Sequence, residues 1–192
     1  MCSLSSSDEL PGVILSKNLR EFSSCEFEHF FDRKLAEGVI PRAWLLETLS
    51  DTLKSDVNKR VVLISGDPGV GKSTLAAKLV GSSFRGYQGD KSKADDVKTQ
   101  FSVLGFHVCK TSNAETASAS RFVRNLASML AETVPGYAAE LAASPATLKA
   151  LDKRECDRDP SAALQNGVLA PADQAARDRI RCARTRCARA GD

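Results

Sequence analysis

Hydrophobic residues recur at helical spacing in two stretches of the chain. Residues 41–56, PRAWLLETLSDTLKSD, place four leucines on one face of a helix, and Pro41 suits its first turn. Residues 120–134, SRFVRNLASMLAETV, place an apolar residue at every fourth position until Pro135 and Gly136 end the pattern. The sequence therefore predicts two amphipathic helices, with further helices near residues 22–35 and over residues 137–151.

Two other stretches are apolar without the alternation of a half-exposed strand. Residues 60–65 read RVVLIS, and residues 101–109 read FSVLGFHVC. Such runs are typical of parallel strands that are buried on both faces. The first run leads into a glycine-rich loop and then into TLAAKLVG, a helix that Gly81 is expected to end. The order strand, helix, strand, helix predicts an α/β fold with a parallel sheet.

Composition divides the chain into three predicted parts. Residues 1–20 are polar and serine-rich, and we interpret them as a disordered leader. Residues 21–171 form the predicted folded domain, with a polar surface loop at residues 82–100. Residues 172–192 are rich in alanine and arginine and are interpreted as a tail.

The positive charge of the chain is concentrated in that tail. The net charge is +3, and residues 177–192 contain six arginines and two aspartates, a net +4, which leaves −1 for the remainder. The body of the chain is therefore not a nucleic-acid-binding surface by charge. The tail lacks aromatic residues that could stack on bases. We therefore interpret it as solvated and expect no nucleic-acid partner.

Neither a membrane span nor a secretion signal is evident in the sequence. No apolar run approaches the roughly 20 residues that a spanning helix needs. The six cysteines are spread along a chain without a signal peptide, which favours free thiols in a reducing compartment. The expected location is the cytoplasm.

Residues 66–73, GDPGVGKS, match the phosphate-binding pattern G-x-x-x-x-G-K-[ST]. Glycines let the backbone wrap closely around a polyphosphate, and the following helix directs its free N–H groups at the anion. We expect Lys72 to reach the β- and γ-phosphates and the Ser73 hydroxyl to bind Mg²⁺. The candidate nucleotide-binding residues are Gly66, Asp67, Pro68, Gly69, Val70, Gly71, Lys72, Ser73 and Thr74.

Hydrolysis of a nucleotide needs a second acidic group at the end of a neighbouring strand. The predicted strand at residues 101–109 is followed by Lys110, and no other apolar run ends in a suitable acid. Hydrolysis is therefore expected to be weak or absent, and whether the protein is an enzyme stays open. Residues 58–61, NKRV, lack the aspartate of a guanine-reading motif, which favours ATP.

Four segments resemble the STAND-class NTPases, in particular the NACHT-like module of nephrocystin-like and TANC-type ankyrin-repeat scaffold proteins. They are RAWLL (42–46), VVLISGDPGVGKSTLAAKLV (61–80), VLGFHVCK (103–110) and RFVRNLASMLAETVPGYAAEL (121–141), within a resemblance that covers residues 28–171. The resemblance implies a three-layer α/β/α P-loop NTPase fold with a parallel sheet. It implies that Lys72 and Ser73 contact phosphate and Mg²⁺ and that Arg42 and Trp44 lie near the nucleotide. The chain ends about where the family's acidic strand begins, so the sheet is expected to be incomplete.

Three functions remain as hypotheses. The favoured one is a Mg-ATP-binding switch in signalling or scaffolding, with a protein partner or self-association covering the unpaired sheet edges. The alternative is a non-catalytic interaction fragment whose glycine-rich loop is vestigial. A small phosphotransferase is the least favoured. His107 and Cys109 are interpreted as core residues, because no residue pairs with them as nucleophile or base by spacing.

Overall fold

The structure is a computed structural model that describes residue 19 and residues 24–37, 42–55, 61–84 and 102–189. The chain divides into two compact units, which we describe separately. Residues 23–103 form the loop unit, and residues 1–22 with 104–192 form the helical unit. The predicted leader, apart from Leu19, and most of the predicted polar loop lie outside the described residues. The predicted domain boundaries stay predictions.

The loop unit contains three helices, α1 (Ser24–Ala36), α2 (Ala43–Ser55) and α3 (Lys72–Ser83). On α1, Phe27, Phe31 and Leu35 recur every four residues and are buried. This face packs against α3. The helices predicted near residues 22–35 and over 41–56 are therefore confirmed. The prediction that Gly81 ends the third helix is wrong, because α3 continues through it to Ser83.

The helical unit contains two long helices with a succession of short ones between them. The first long helix is α4 (Ala119–Thr133), which confirms the helix predicted over residues 120–134. The elements that follow are α5 (Tyr137–Ala143), α6 (Pro145–Ala150), α7 (Lys153–Arg158), α8 (Pro160–Ala163), a π-helical turn (Leu164–Leu169) and α9 (Ala170–Arg189). A 3₁₀ turn (Ala114–Ala117) precedes α4.

Side-chain caps explain where the short helices begin. The Ser144 hydroxyl accepts from the N–H of Thr147 at 3.3 Å, and Pro145, which has no N–H to satisfy, occupies the first position of α6. Asp152 and Asp159 cap α7 and α8 in the same way. The prediction of one helix over residues 137–151 is therefore wrong, because Ser144 and Pro145 start a second helix there.

The buried core of the helical unit is centred on Tyr137, Leu151 and Val168, each at most 1% exposed. The Tyr137 hydroxyl donates a hydrogen bond of 2.8 Å to the carbonyl oxygen of Gly167 in the π-helical turn. Leu151 lies against Gly167 so closely that a Cβ there would be 2.5 Å from its Cδ2 atom. The Arg124 guanidinium donates to the Leu151 carbonyl oxygen at 2.5 Å. These contacts tie α4, α5 and the π-helical turn together.

The predicted α/β fold, a three-layer α/β/α P-loop NTPase with a parallel sheet, is wrong. Among the described residues most are helical and none belongs to a strand; residues 61–67 and 102–109 have no regular secondary structure. Their flanking residues Arg60 and Phe101 lie outside the described part of the chain. The one β-bridge in the described segments joins Lys110 to Asn113 across a turn.

The physical reason is that a strand needs a neighbouring strand for its N–H and C=O groups, whereas an apolar run records only a preference for burial. Val61 and Leu63 were expected to be buried on both faces, yet they are 85% and 87% exposed. The apolar residues at 61–64 therefore neither pair with another described segment nor become buried in this structure.

None of the helices within the described segments is both long enough and apolar enough to cross a membrane.

Replacing Gly167 with alanine is expected to destabilise the helical unit by about 1–2 kcal/mol, because the new methyl group overlaps Leu151. Urea unfolding followed by helical circular dichroism measures this cost. In a Leu151→Ala background the overlap is removed, so Gly167→Ala should cost little or be slightly stabilising through its higher helix propensity. An equal cost in both backgrounds would contradict the steric explanation.

Replacing Tyr137 with phenylalanine is expected to cost about 0.5–1.5 kcal/mol at neutral pH, because a buried hydrogen bond is lost. Burial raises the pKa of the Tyr137 hydroxyl above its usual 10.0. Above about pH 10 the unfolded chain therefore releases this proton while the folded chain keeps it, and stability falls as pH rises. The advantage of the wild type over Tyr137→Phe should shrink by roughly 1.4 kcal/mol per pH unit there. A pH-independent difference between the two proteins would count against this assignment.

Candidate functional site

The glycine loop, residues 66–73, is curled in front of the first turn of α3. The N–H of Val70 donates to the carbonyl oxygen of Asp67 at 3.4 Å. Gly69 and Gly71 have φ values of 86° and 92°, in the left-handed region that a side chain disfavours. The sequence forms this curl because glycine occupies both positions.

Gly71 ends the curl, residues 66–71, and caps α3 without a side chain. Its carbonyl oxygen accepts from the N–H of Leu75 at 3.0 Å, so the helical hydrogen bonds start immediately after it. The N–H groups of Lys72, Ser73 and Thr74 lie in the first turn, where the helix itself supplies no acceptor. These groups, with the positive end of the helix dipole, favour an anion at this end of α3.

The ammonium group of Lys72 folds back over the loop. Its Nζ donates to the carbonyl oxygens of Gly66 at 2.6 Å and Asp67 at 2.9 Å. An ammonium group has three N–H donors, so these two bonds leave one for another acceptor. Lys72 and residues 66–70 are exposed, and apart from the two chain neighbours of Gly69 no residue that the structure describes has an atom within 4 Å of the position that a Cβ of Gly69 would occupy. The curl is therefore accessible from outside.

Arg42 reaches the same loop from the start of α2. Its carbonyl oxygen accepts from the N–H groups of Leu45 and Leu46, which fixes its backbone at the helix end. Its guanidinium atoms lie 3.4–3.6 Å from the position that a Cβ of Gly71 would occupy. Trp44, which the resemblance paired with Arg42, is 64% exposed on α2. Only the resemblance pointed to Arg42, because its separation from the loop in sequence gives no spacing signal.

The predicted nucleotide-binding residues are consecutive in sequence and lie in two adjoining parts of the structure. Residues 66–71 form the curl, and Lys72, Ser73 and Thr74 form the first turn of α3. Ser73 is exposed, so its hydroxyl is accessible to a metal ion. Within the described segments, no group of three His, Cys, Asp or Glu side chains could hold a metal ion. A Mg²⁺ ion at Ser73 would therefore take most of its ligands from phosphate oxygens and water, as Mg²⁺ commonly does.

The two other residues singled out in the sequence belong to the helical unit. The His107 Nε2 atom lies 2.7 Å from the carbonyl oxygen of Thr116, and its ring packs edge-on against Phe122. His107 is hydrogen-bonded and packed against a ring, but it is only half-buried, so its interpretation as a core residue is confirmed only in part. Cys109 is exposed, so its interpretation as a core residue is wrong.

A comparison with protein families identifies a match for most of this chain. The sequence model described as nephrocystin 3, N-terminal, matches residues 42–177. The chain belongs to the nephrocystin 3 N-terminal family. The predicted nephrocystin-like resemblance is thereby confirmed. No solved structure matches the chain significantly. The nephrocystin 3 N-terminal segment begins at Arg42, includes the whole glycine loop and ends within α9.

Replacing Gly69 with alanine is expected to destabilise the loop unit by about 1–2 kcal/mol, because a Cβ disfavours the left-handed backbone even where space is open. Gly69→Asn should cost less, since asparagine tolerates this conformation better. Val70→Ala, at a neighbouring residue without positive φ, should change stability by less than about 0.5 kcal/mol. Urea unfolding followed by the fluorescence of Trp44, the single tryptophan, measures all three. Equal costs for the alanine and asparagine variants of Gly69 would contradict the backbone explanation.

Proposed function

We propose that the glycine loop binds the polyphosphate of ATP together with Mg²⁺, and that the chain works as a nucleotide-dependent switch of the STAND type in cytoplasmic signalling or scaffolding. The observation that carries this proposal is the curled loop itself. Left-handed glycines precede α3, and the Lys72 ammonium lies across the curl.

The proposed binding exchanges one set of acceptors for another. Phosphate oxygens would take hydrogen bonds from the N–H groups of Lys72, Ser73 and Thr74 at the start of α3. The third N–H of Lys72 would reach a phosphate oxygen, and stronger anionic acceptors would then compete with the carbonyls of Gly66 and Asp67. The Ser73 hydroxyl would complete the coordination of Mg²⁺.

Hydrolysis in this proposal is weak or absent. A rapid reaction needs a carboxylate that holds Mg²⁺ or orients the attacking water. Residues 102–109 lead to Lys110 and contribute no acid after the apolar run. Asp67 is exposed. It lies near the start of the loop that would surround the phosphates and does not follow a neighbouring strand, where a catalytic carboxylate is required. The proposed role is therefore binding, with the bound nucleotide as the signal.

Replacing Lys72 with alanine is expected to weaken Mg-ATP binding by about 10- to 100-fold, because a charge-assisted hydrogen bond to phosphate is worth about 1.5–3 kcal/mol. Isothermal titration calorimetry on the full chain measures the affinity. Lys149→Ala serves as the matched control, because Lys149 is an exposed lysine on α6 in the helical unit. It should bind Mg-ATP as the wild type does.

Unchanged affinity in the Lys72→Ala variant would reject the proposal, as would a folded wild-type protein that gives no binding with Mg-ATP or Mg-ADP. Circular dichroism of each protein confirms that the compared chains are folded.

A non-catalytic interaction module is the second candidate, and exposed apolar residues in the loop unit favour it. Val61, Leu63 and Trp44 are 85%, 87% and 64% exposed. Burying such side chains against a protein surface or a second copy contributes roughly 25 cal/mol per Å² of apolar area. A folded chain without nucleotide affinity in the calorimetry above would favour this candidate over the switch.

A further inference from the structure

We infer that the Arg42 guanidinium is a second cationic contact for the phosphates, at the Gly71 end of the glycine loop, and that it recognises the polyphosphate and not the base. This inference rests on the proposed function, because it assigns one more residue to the same site.

A second cationic side chain changes the net charge of the candidate site. Within the glycine loop the carboxylate of Asp67 and the ammonium of Lys72 formally cancel. The Lys72 ammonium is also engaged by the carbonyl oxygens of Gly66 and Asp67. A polyphosphate carries several negative charges, and a neutral loop gains little from long-range attraction. The Arg42 guanidinium makes this cluster of charged side chains net positive.

The geometry places that guanidinium at the loop and not along α2. Its Nη2, Cζ and Nη1 atoms lie 3.4, 3.6 and 3.6 Å from the position that a Cβ of Gly71 would occupy. These distances are those of van der Waals contact with that position, and the start of α2 holds the backbone of Arg42 in place. The guanidinium therefore lies next to Gly71, the residue that directly precedes Lys72 and the first turn of α3.

The donors of Arg42 are suited to such a contact. The side chain is half-buried, and no hydrogen bond or ion pair joins it to another residue that the structure describes. A guanidinium presents a planar fork of N–H donors that matches two oxygens of a phosphate group. A partly desolvated fork of this kind gains more from an anion than a fully hydrated one does.

The test compares Mg-ATP with inorganic tripolyphosphate, which has the same chain of phosphates and no base. Calorimetry on the full chain uses the wild type, Arg42→Gln, Arg42→Lys and, as control, Arg33→Gln. Arg33 is an exposed arginine on α1 of the same unit. We expect Arg42→Gln to weaken binding of both ligands by a similar factor, about 10-fold, and Arg33→Gln to leave both unchanged. Arg42→Lys, which keeps the charge but loses the fork, should fall between them.

Each other outcome overturns the inference. Equal affinities for Arg42→Gln and Arg33→Gln would show that Arg42 makes no contact. A loss confined to Mg-ATP, or a wild type that binds Mg-ATP but not tripolyphosphate, would place recognition at the base or sugar. A folded wild type that does not bind Mg-ATP would overturn the proposed function as well, which separates the two failures. Melting curves by circular dichroism, together with Arg42→Lys, separate lost binding from lost folding.

Discussion

The two hydrogen bonds from the Lys72 ammonium to the carbonyl oxygens of Gly66 and Asp67 are the interaction on which the candidate site depends. They join the first residue of α3 to the residues at the opposite end of the curl. They therefore fix the distance across the loop and hold a positive charge over it. The ammonium offsets the dipoles of these two carbonyl groups, so the curl is held by contacts within the chain itself. If a phosphate binds as proposed, its free energy of binding would be the difference between the new charge-assisted hydrogen bonds and those that they replace, and so less than the new set alone would give.

The features that could be predicted from the sequence are those whose cause lies within a few residues. The leucine spacing of α2 and the four-residue spacing of α4 gave correct helices, because side chains three and four positions apart share a helical face. The glycine loop was located for the same reason, since left-handed backbone at Gly69 and Gly71 is a local property of glycine. The break at Ser144 was missed, although its cause is also local, because serine followed by proline is a helix-start signature that outweighs continuous helix propensity.

Two features that the sequence could not reveal, the absence of a sheet from the described residues and the position of Arg42, depend on residues far apart in sequence. A sheet requires that separate segments supply each other's hydrogen-bond partners, and residues 61–67 carry no information about which segment that would be. The contact of Arg42 with Gly71 is equally non-local, because it joins the start of α2 to the start of α3 across 29 positions of sequence numbering. The candidate site was therefore predictable as a motif, whereas its charge balance required the structure.

The support of the site extends beyond the segment that defines the family. The curl leads directly into α3, so the orientation of the curl depends on the elements that pack against α3. That support includes α1, whose buried Phe27, Phe31 and Leu35 face a helix with buried Ala77 and Val80. Yet α1 precedes residue 42, where the nephrocystin 3 N-terminal match begins. The residues that could contact phosphate lie within the family segment, but part of the packing that positions them lies outside it. The residues of the motif and the packing that positions them can therefore change independently. A substitution in α1 can alter the loop while every residue of the motif stays the same.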